Sequence, residues 1–194
     1  MGFGLLFIGY LFAFGFTSGV NFIVSIVGIF GSIVLFAASS KLMLYSSSFR
    51  ITRVMSVSLG VSYLLNTIVQ LLTAYNVVSD AYVLSRVCRA FIILSVFVFN
   101  MFMYFGIAEV SRSVDDKKLT VSAYRDLIVM IIYYLCTGLS FSVTGASQNI
   151  KSIIALLSAL LGLVWLVLSV WLVISSYMRI CLPGDEDMPI KNNK

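Results

Sequence analysis

The chain consists of long apolar runs separated by short polar stretches, and this pattern predicts a series of membrane-spanning helices. The run at 54–75 shows why: 22 residues at about 1.5 Å each span roughly 33 Å, close to the thickness of the hydrocarbon layer of a bilayer. Five other runs have the same character, although the first is barely long enough to cross. The predicted helices cover 3–18, 22–40, 54–75, 87–110, 127–144 and 152–178, and they form a transmembrane bundle over 1–180 with a polar cytoplasmic tail at 181–194.

The third predicted helix carries a line of polar residues through its apolar sequence. Ser58, Ser62, Asn66 and Gln70 follow one another in steps of four, which places them on one face of the helix. Because an amide side chain that faces lipid is costly, Asn66 and Gln70 are expected to face the interior of the bundle. Two interpretations stay open: the amides join neighbouring helices by hydrogen bonds, or they line a cavity that binds a solute.

The second predicted helix has small residues at helical spacing. Ser25, Gly28 and Ser32 recur in steps of three and four. Small side chains on one face allow another helix to approach closely. The sequence therefore predicts tight helix packing on this face.

The composition agrees with a membrane location. Of the 194 residues, 60% are hydrophobic and only 11% are charged, whereas about a quarter of the residues in soluble domains are charged. The predicted fold class is therefore all-α, a polytopic membrane helix bundle in contact with the lipid bilayer. Basic residues outnumber acidic ones, but in a membrane protein they are first of all orientation signals, so no nucleic-acid partner is predicted.

The positions of the basic residues predict which side of the membrane each end faces. With six spans, ten of the 13 Lys and Arg residues fall on the side of the two termini, and only Arg86, Arg89 and Lys151 fall on the other side. Cytoplasmic segments carry the excess of Lys and Arg. Both termini are therefore expected in the cytoplasm, and the protein is expected to be a multi-pass protein of the cell membrane.

Reporter fusions test this orientation. A reporter placed after Ser48, after Lys118 or at the C-terminus is expected to indicate a cytoplasmic location, because these segments carry the basic excess. A reporter near Asp80 or Gln148 is expected to indicate the opposite side. A C-terminus found outside the cell would contradict the six-span arrangement.

The residues required by most catalytic and metal centres are missing from the sequence. There is no histidine, and Cys88, Cys136 and Cys181 lie far apart, so zinc, haem and Ser-His or Cys-His catalysis lack their usual ligands and bases. Glu109 precedes Arg112 by three residues, a spacing suited to an ion pair on one helix. No acid is predicted inside a span, which disfavours proton-coupled transport. The sequence predicts neither an enzyme nor a cofactor.

The two ends of the chain carry a family resemblance. The N-terminal GFGLLFIGYL and the C-terminal GDEDMP segments resemble those of a loose set of uncharacterised bacterial six-helix membrane proteins. The resemblance implies a six-helix membrane architecture. It implies no activity, and no functional residue is carried over from it.

Two functions fit this architecture, and a third, a membrane enzyme that acts on lipid, is disfavoured by the absence of histidine and of predicted acids inside the spans. The first is a structural or regulatory membrane component that acts through helix contacts and cytoplasmic loops, with a protein partner or a second copy of the chain in the membrane. The second is a component that binds or transports a small solute through an outward-facing pocket. The polar residues of helices three to five that fall in their outer halves would line this pocket: Asn66, Gln70, Ser95, Ser140 and Thr144.

Arg86 and Arg89 depart from the charge asymmetry and are candidates for a binding site at the mouth of this pocket. They stand three residues apart at the outer start of helix four, on one face, where the N–H groups of the helix N-terminus add partial positive charge. They are predicted to select an anionic small solute that carries a carboxylate or a phosphate. The alternatives are that they extend to lipid phosphates, or that Arg86 pairs with Asp80.

Overall fold

A computed structural model describes residues 2–15, 22–75, 81–142 and 148–180, and every regular element in these ranges is a helix. The all-α prediction is confirmed. The helices are α1 (Gly2–Tyr10), which continues as a π-helical segment (Leu11–Gly15), α2 (Phe22–Leu42), α3 (Ser48–Ala74), α4 (Ala81–Ser113), α5 (Lys117–Ser142) and α6 (Gln148–Arg179).

Five of these helices, α2 to α6, are long and apolar enough to cross a membrane. The first helix and its π-helical continuation form a shorter apolar segment over Gly2–Phe14. Residues 16–18 of the first predicted helix lie outside the described residues. The protein is thus a helical membrane bundle with five full-length spans and one shorter helix in the part of the chain described.

The helices pack in chain order around a ring. Each helix from α2 to α6 packs on the one before it, and α6 also packs on α1, which closes the ring. The connections at 43–47 and 114–116 lie at the same end, which we call the basic end because most Lys and Arg residues are there. Buried side chains of α1 to α4, among them Leu6, Phe49 and Met103, fill the ring towards this end.

Four helices begin several residues before the predicted positions. α3 begins at Ser48 rather than 54, α4 at Ala81 rather than 87, α5 at Lys117 rather than 127, and α6 at Gln148 rather than 152. Hydropathy marks the part of a helix that lies in hydrocarbon, whereas helical hydrogen bonding continues into the interface, where charged residues are tolerated. The polar stretch 111–126 is therefore not a long loop, and only 114–116 separate α4 from α5.

The close helix approach predicted on helix two is confirmed. A Cβ atom added to Gly28 would lie 2.8 Å from the ring of Tyr63 on α3, and one added to Gly60 of α3 would lie 2.6 Å from the hydroxyl oxygen of Ser32. Gly31 makes the tightest contact, since its added Cβ would lie 2.5 Å from the backbone nitrogen of Ala13. Small residues of α2 therefore bring α3 and the π-helical segment against it.

The acid Glu109 makes a different contact from the one predicted. Its carboxylate accepts hydrogen bonds from the hydroxyls of Ser46 and Ser48, which ties α4 to the connection between α2 and α3. Arg112 donates to the hydroxyl of Tyr124 on α5 at 2.9 Å. The predicted ion pair between Glu109 and Arg112 is absent among the described residues, because both side chains find partners on neighbouring elements.

Candidate functional site

A cavity of about 720 Å³ lies in the half of the bundle remote from the basic end. It is lined by the first turn of α2, the second half of α3, the first half of α4, the second half of α5 and the first half of α6, with Phe14 of the π-helical segment at its base. Its volume falls within the range typical of small-molecule sites, about 300–1,000 Å³. Most of the lining side chains are apolar, including Val24, Ile92, Val96 and Leu166.

Packed aromatic rings form one wall of the cavity. Tyr133 stacks on Trp165 with ring centroids 5.3 Å apart and an interplanar angle of 15°. Tyr134 meets the rings of Tyr133 and Trp165 edge-on, at 5.1 Å and 5.9 Å, and it packs against Phe97 of α4 at 5.0 Å. These contacts hold the rings in place before any ligand arrives.

Beneath this wall, hydrogen bonds between three helices, α1, α4 and α6, separate the cavity from the basic end. The indole Nε1 of Trp165 donates to the hydroxyl oxygen of Tyr104 at 2.8 Å, and Tyr104 also shares a hydrogen bond with Ser169. Tyr10 of α1 donates to Oδ1 of Asn100 at 2.9 Å. All of these side chains are buried, so the cavity ends at a satisfied polar layer.

Among the described residues that line the cavity, Arg89 is the charged one. It lies six residues after Val83, where the apolar span of α4 begins, which is about 9 Å along the helix. Its side chain is exposed, and within the described ranges its guanidinium has neither a hydrogen-bond nor an ion-pair partner. A cation at this depth ordinarily pairs with an acid or a carbonyl group.

Arg89 lines the cavity and Arg86 does not, and neither arginine lies at the N-terminus of α4. α4 begins at Ala81, so both arginines lie beyond the first four residues, whose N–H groups lack partners inside a helix. The predicted contribution of those N–H groups is therefore wrong. Arg86 is exposed and lies outside the cavity lining, and Asp80, its alternative partner, lies outside the described residues.

Asn66 is held in the cavity wall by another helix. Its Nδ2 donates to the hydroxyl oxygen of Ser25 on α2 at 2.8 Å, and its side chain is completely buried. Farther along the same line, Ser58 shares a hydrogen bond of 3.0 Å with Ser95 of α4. These contacts favour the interpretation in which polar residues of α3 join neighbouring helices.

The other candidate residues are distributed as follows. Ser95 is buried between helices, and Gln70 is half-buried; neither belongs to the cavity lining. The side chain of Ser140 and the whole of Thr144 lie outside what the structure describes. Thr137, one turn before Ser140, does line the cavity, and its hydroxyl donates to the carbonyl oxygen of Tyr133 at 2.9 Å.

Replacing Asn66 with leucine tests the structural role of its amide. The change removes the hydrogen bond to Ser25, so we expect the unfolding free energy to fall by at most about 2 kcal/mol. Ligand retention should not change where the amide serves only to join α3 to α2, although Asn66 belongs to the cavity lining. Thermal unfolding and ligand retention are measured side by side, with Ser62→Ala as the control, because among the described residues the Ser62 hydroxyl bonds within its own helix, to the carbonyl of Ser58. Loss of binding at an unchanged unfolding temperature would show instead that Asn66 contacts the ligand.

Asp126 is a buried acid that lies just before the predicted start of helix five at 127. It lies within the apolar span Lys117–Gly138 and is completely buried, with Oδ1 bonded to the Arg125 guanidinium at 2.8 Å and 2.9 Å. The expectation that no acid lies inside a span is therefore wrong. The buried positions of α5 recur with helical spacing, and this spacing in the sequence is the signal that indicates a buried Asp126: Leu119, Ala123, Asp126, Leu127 and Met130.

The described residues contain no group of three or more His, Cys, Asp or Glu side chains arranged to hold a metal ion. No protein-family model, curated protein or solved structure matches this chain. The cavity and its lining are therefore the evidence on which a function rests.

Proposed function

We propose that this membrane protein binds a small anionic solute in the cavity, with Arg89 as the residue that holds its negative group. The observation that carries this proposal is a cation in the lining of a cavity, inside an apolar span, without an acidic partner in the described part of the chain. A charged side chain in a span costs about 2.5–3.5 kcal/mol at the helix centre, and such residues usually serve a function. An anionic ligand supplies the missing partner.

The guanidinium group of Arg89 determines which kind of negative group on the solute can bind. Its planar N–H donors match the geometry of a carboxylate or a phosphate and form two parallel hydrogen bonds with either. Low polarity around the cavity strengthens this interaction compared with the same pair in water. The remainder of the solute contacts apolar and aromatic side chains, so the proposed ligand is an acid with an apolar body.

The side of entry follows from the predicted orientation. The cavity lies at the end opposite the basic end, and the charge asymmetry assigns this end to the outside of the cell. The proposed solute therefore reaches Arg89 from the external side. The satisfied polar layer around Tyr104 and Asn100 stops it from passing further in this conformation.

The surface of α6 supports a second candidate function, a structural component that acts through helix contacts. Of the most apolar 18 residues of α6 only 11% are buried, whereas 28–44% are buried in the corresponding stretches of the other four long helices. Exposed apolar residues such as Leu156, Leu160 and Val167 leave this surface to lipid or to another membrane helix. A second copy of the chain or a different membrane protein would bind there.

Native mass spectrometry of the protein in mild detergent separates the two functions. A small anionic molecule that stays bound to the protein is the result expected for solute binding. A complex with a second protein chain at fixed stoichiometry, and without a small molecule, is the result expected for a structural component.

A further inference from the structure

Two tyrosines in the cavity wall differ from the other tyrosines of the bundle interior. Tyr10, Tyr63 and Tyr104 each use their hydroxyl in a hydrogen bond, to Asn100, to the carbonyl of Ala13 and to Ser169 respectively. The half-buried Tyr133 and Tyr134 line the cavity, and their hydroxyls form no hydrogen bond within the described part of the chain. Buried tyrosine hydroxyls usually have a partner.

Ring packing fixes both of these hydroxyls. Tyr133 lies flat against Trp165, and Tyr134 is enclosed by Tyr133, Trp165 and Phe97. Tyr134 contacts Phe97, which lies eight residues beyond Arg89 on α4, so its ring lies farther into the bundle than Arg89. Both donors are thus held in place at the inner side of the cavity.

We propose that Tyr133 and Tyr134 donate hydrogen bonds to an acceptor oxygen at the far end of the solute whose acidic group binds Arg89. This inference rests on the proposed function and specifies its ligand. Arg89 and Phe97, the residue that contacts Tyr134, are eight residues apart on α4, or about 12 Å along the helix axis. The ligand class is therefore an elongated acid with an apolar, ring-containing middle and an oxygen acceptor at the opposite end.

A matched pair of acids tests this specificity. The first probe is 4-(4-methoxyphenyl)butyrate, whose ether oxygen can only accept a hydrogen bond, and the second is 4-(4-ethylphenyl)butyrate, which has the same shape without that oxygen. We expect the parent protein to bind the methoxy probe about fivefold more tightly, because one hydrogen bond typically contributes that much. In the Tyr133→Phe/Tyr134→Phe variant the two probes should bind equally, since the rings remain and only the hydroxyls are lost.

The fluorescence of Trp165 reports probe binding. Trp165 lies in the cavity wall and is 7% exposed, whereas Trp171 is 65% exposed on the lipid-facing side, so all variants carry Trp171→Phe to leave one fluorophore. Tyr63→Phe is the matched control, because its hydroxyl donates to Ala13. It is expected to reduce thermal stability and to keep the fivefold preference.

Each outcome decides between the two proposals. A preference for the methoxy probe that disappears in the double variant supports the tyrosine assignment. If the parent binds both probes equally and Arg89→Gln weakens both, the tyrosine assignment is overturned while the anion site stands. If neither probe binds to the parent, both proposals are overturned.

Discussion

Replacing Arg89 with glutamine is expected to weaken binding of 4-(4-methoxyphenyl)butyrate more than tenfold, a loss above about 1.4 kcal/mol. Glutamine keeps a neutral hydrogen-bond donor on a shorter side chain but removes the charge and the paired N–H groups that hold a carboxylate. Protein yield and thermal stability should not decrease, since Arg89 has no partner to lose among the described residues. Trp165 fluorescence titrations in the Trp171→Phe background measure the change.

Arg86 supplies the matched control for this experiment. It is exposed on the same helix, three residues away, but it lies outside the cavity lining. Arg86→Gln should bind the probe as the parent does, and Arg89→Lys should retain part of the affinity because the charge remains. If Arg86→Gln and Arg89→Gln lose the same amount of probe affinity, both arginines act only through the positive electrostatic potential at this end of the bundle. The assignment of the site to Arg89 would then fail.

The second large effect is expected at Gly31, in the contact between α2 and the π-helical segment. A Cβ atom at this position would lie 2.5 Å from the backbone nitrogen and 2.8 Å from the Cα atom of Ala13. Backbone atoms cannot rotate away as a side chain does, so Gly31→Ala should lower the unfolding free energy by about 1–3 kcal/mol. The added methyl group would also push the backbone of Ala13 away from α2, and this movement would disturb the Ala13 carbonyl, which accepts the hydrogen bond from Tyr63. Thermal or denaturant unfolding in detergent measures the loss.

Gly138 provides the control for Gly31. It also lies within a helix, but an added Cβ would meet no atom of the other described residues within 4 Å, apart from the neighbouring backbone of its own helix. Gly138→Ala should leave stability unchanged or raise it slightly, because alanine is the better helix former. If both alanine variants unfold at the same temperature as the parent, the helices do not pack as closely at Gly31 as the structure indicates.

The helical architecture could be predicted from the sequence because it depends on local patterns. Apolar runs of membrane-spanning length marked the long helices, and the spacing of Ser25, Gly28 and Ser32 marked the face on which α3 packs. The four-residue spacing in α3 likewise placed Asn66 and Ser58 at helix contacts. Each of these inferences uses residues within one helix, where periodicity fixes which side chains share a face.

The candidate site could be predicted only in part because it depends on how helices are rotated against one another. Arg86 and Arg89 are about 60° apart around α4, and only the packing of that helix decides which of them reaches the cavity. The lack of a hydrogen-bond partner for the Tyr134 hydroxyl within the described ranges was not predictable either, since it depends on how the ring packs against α4 and α6. Asp126 was missed because charged neighbours hid the helical periodicity of its buried face.

The most direct test of solute binding is native mass spectrometry of three proteins purified from cells in the same mild detergent: the parent, the Arg89→Gln variant and the Arg86→Gln variant. We expect the parent and Arg86→Gln to retain a small acidic molecule, and we expect Arg89→Gln to be recovered without it. Retention of the same molecule by Arg89→Gln, or a parent protein that carries no small molecule and is bound instead to a second protein chain, would contradict the proposal that Arg89 holds an anionic solute in this cavity.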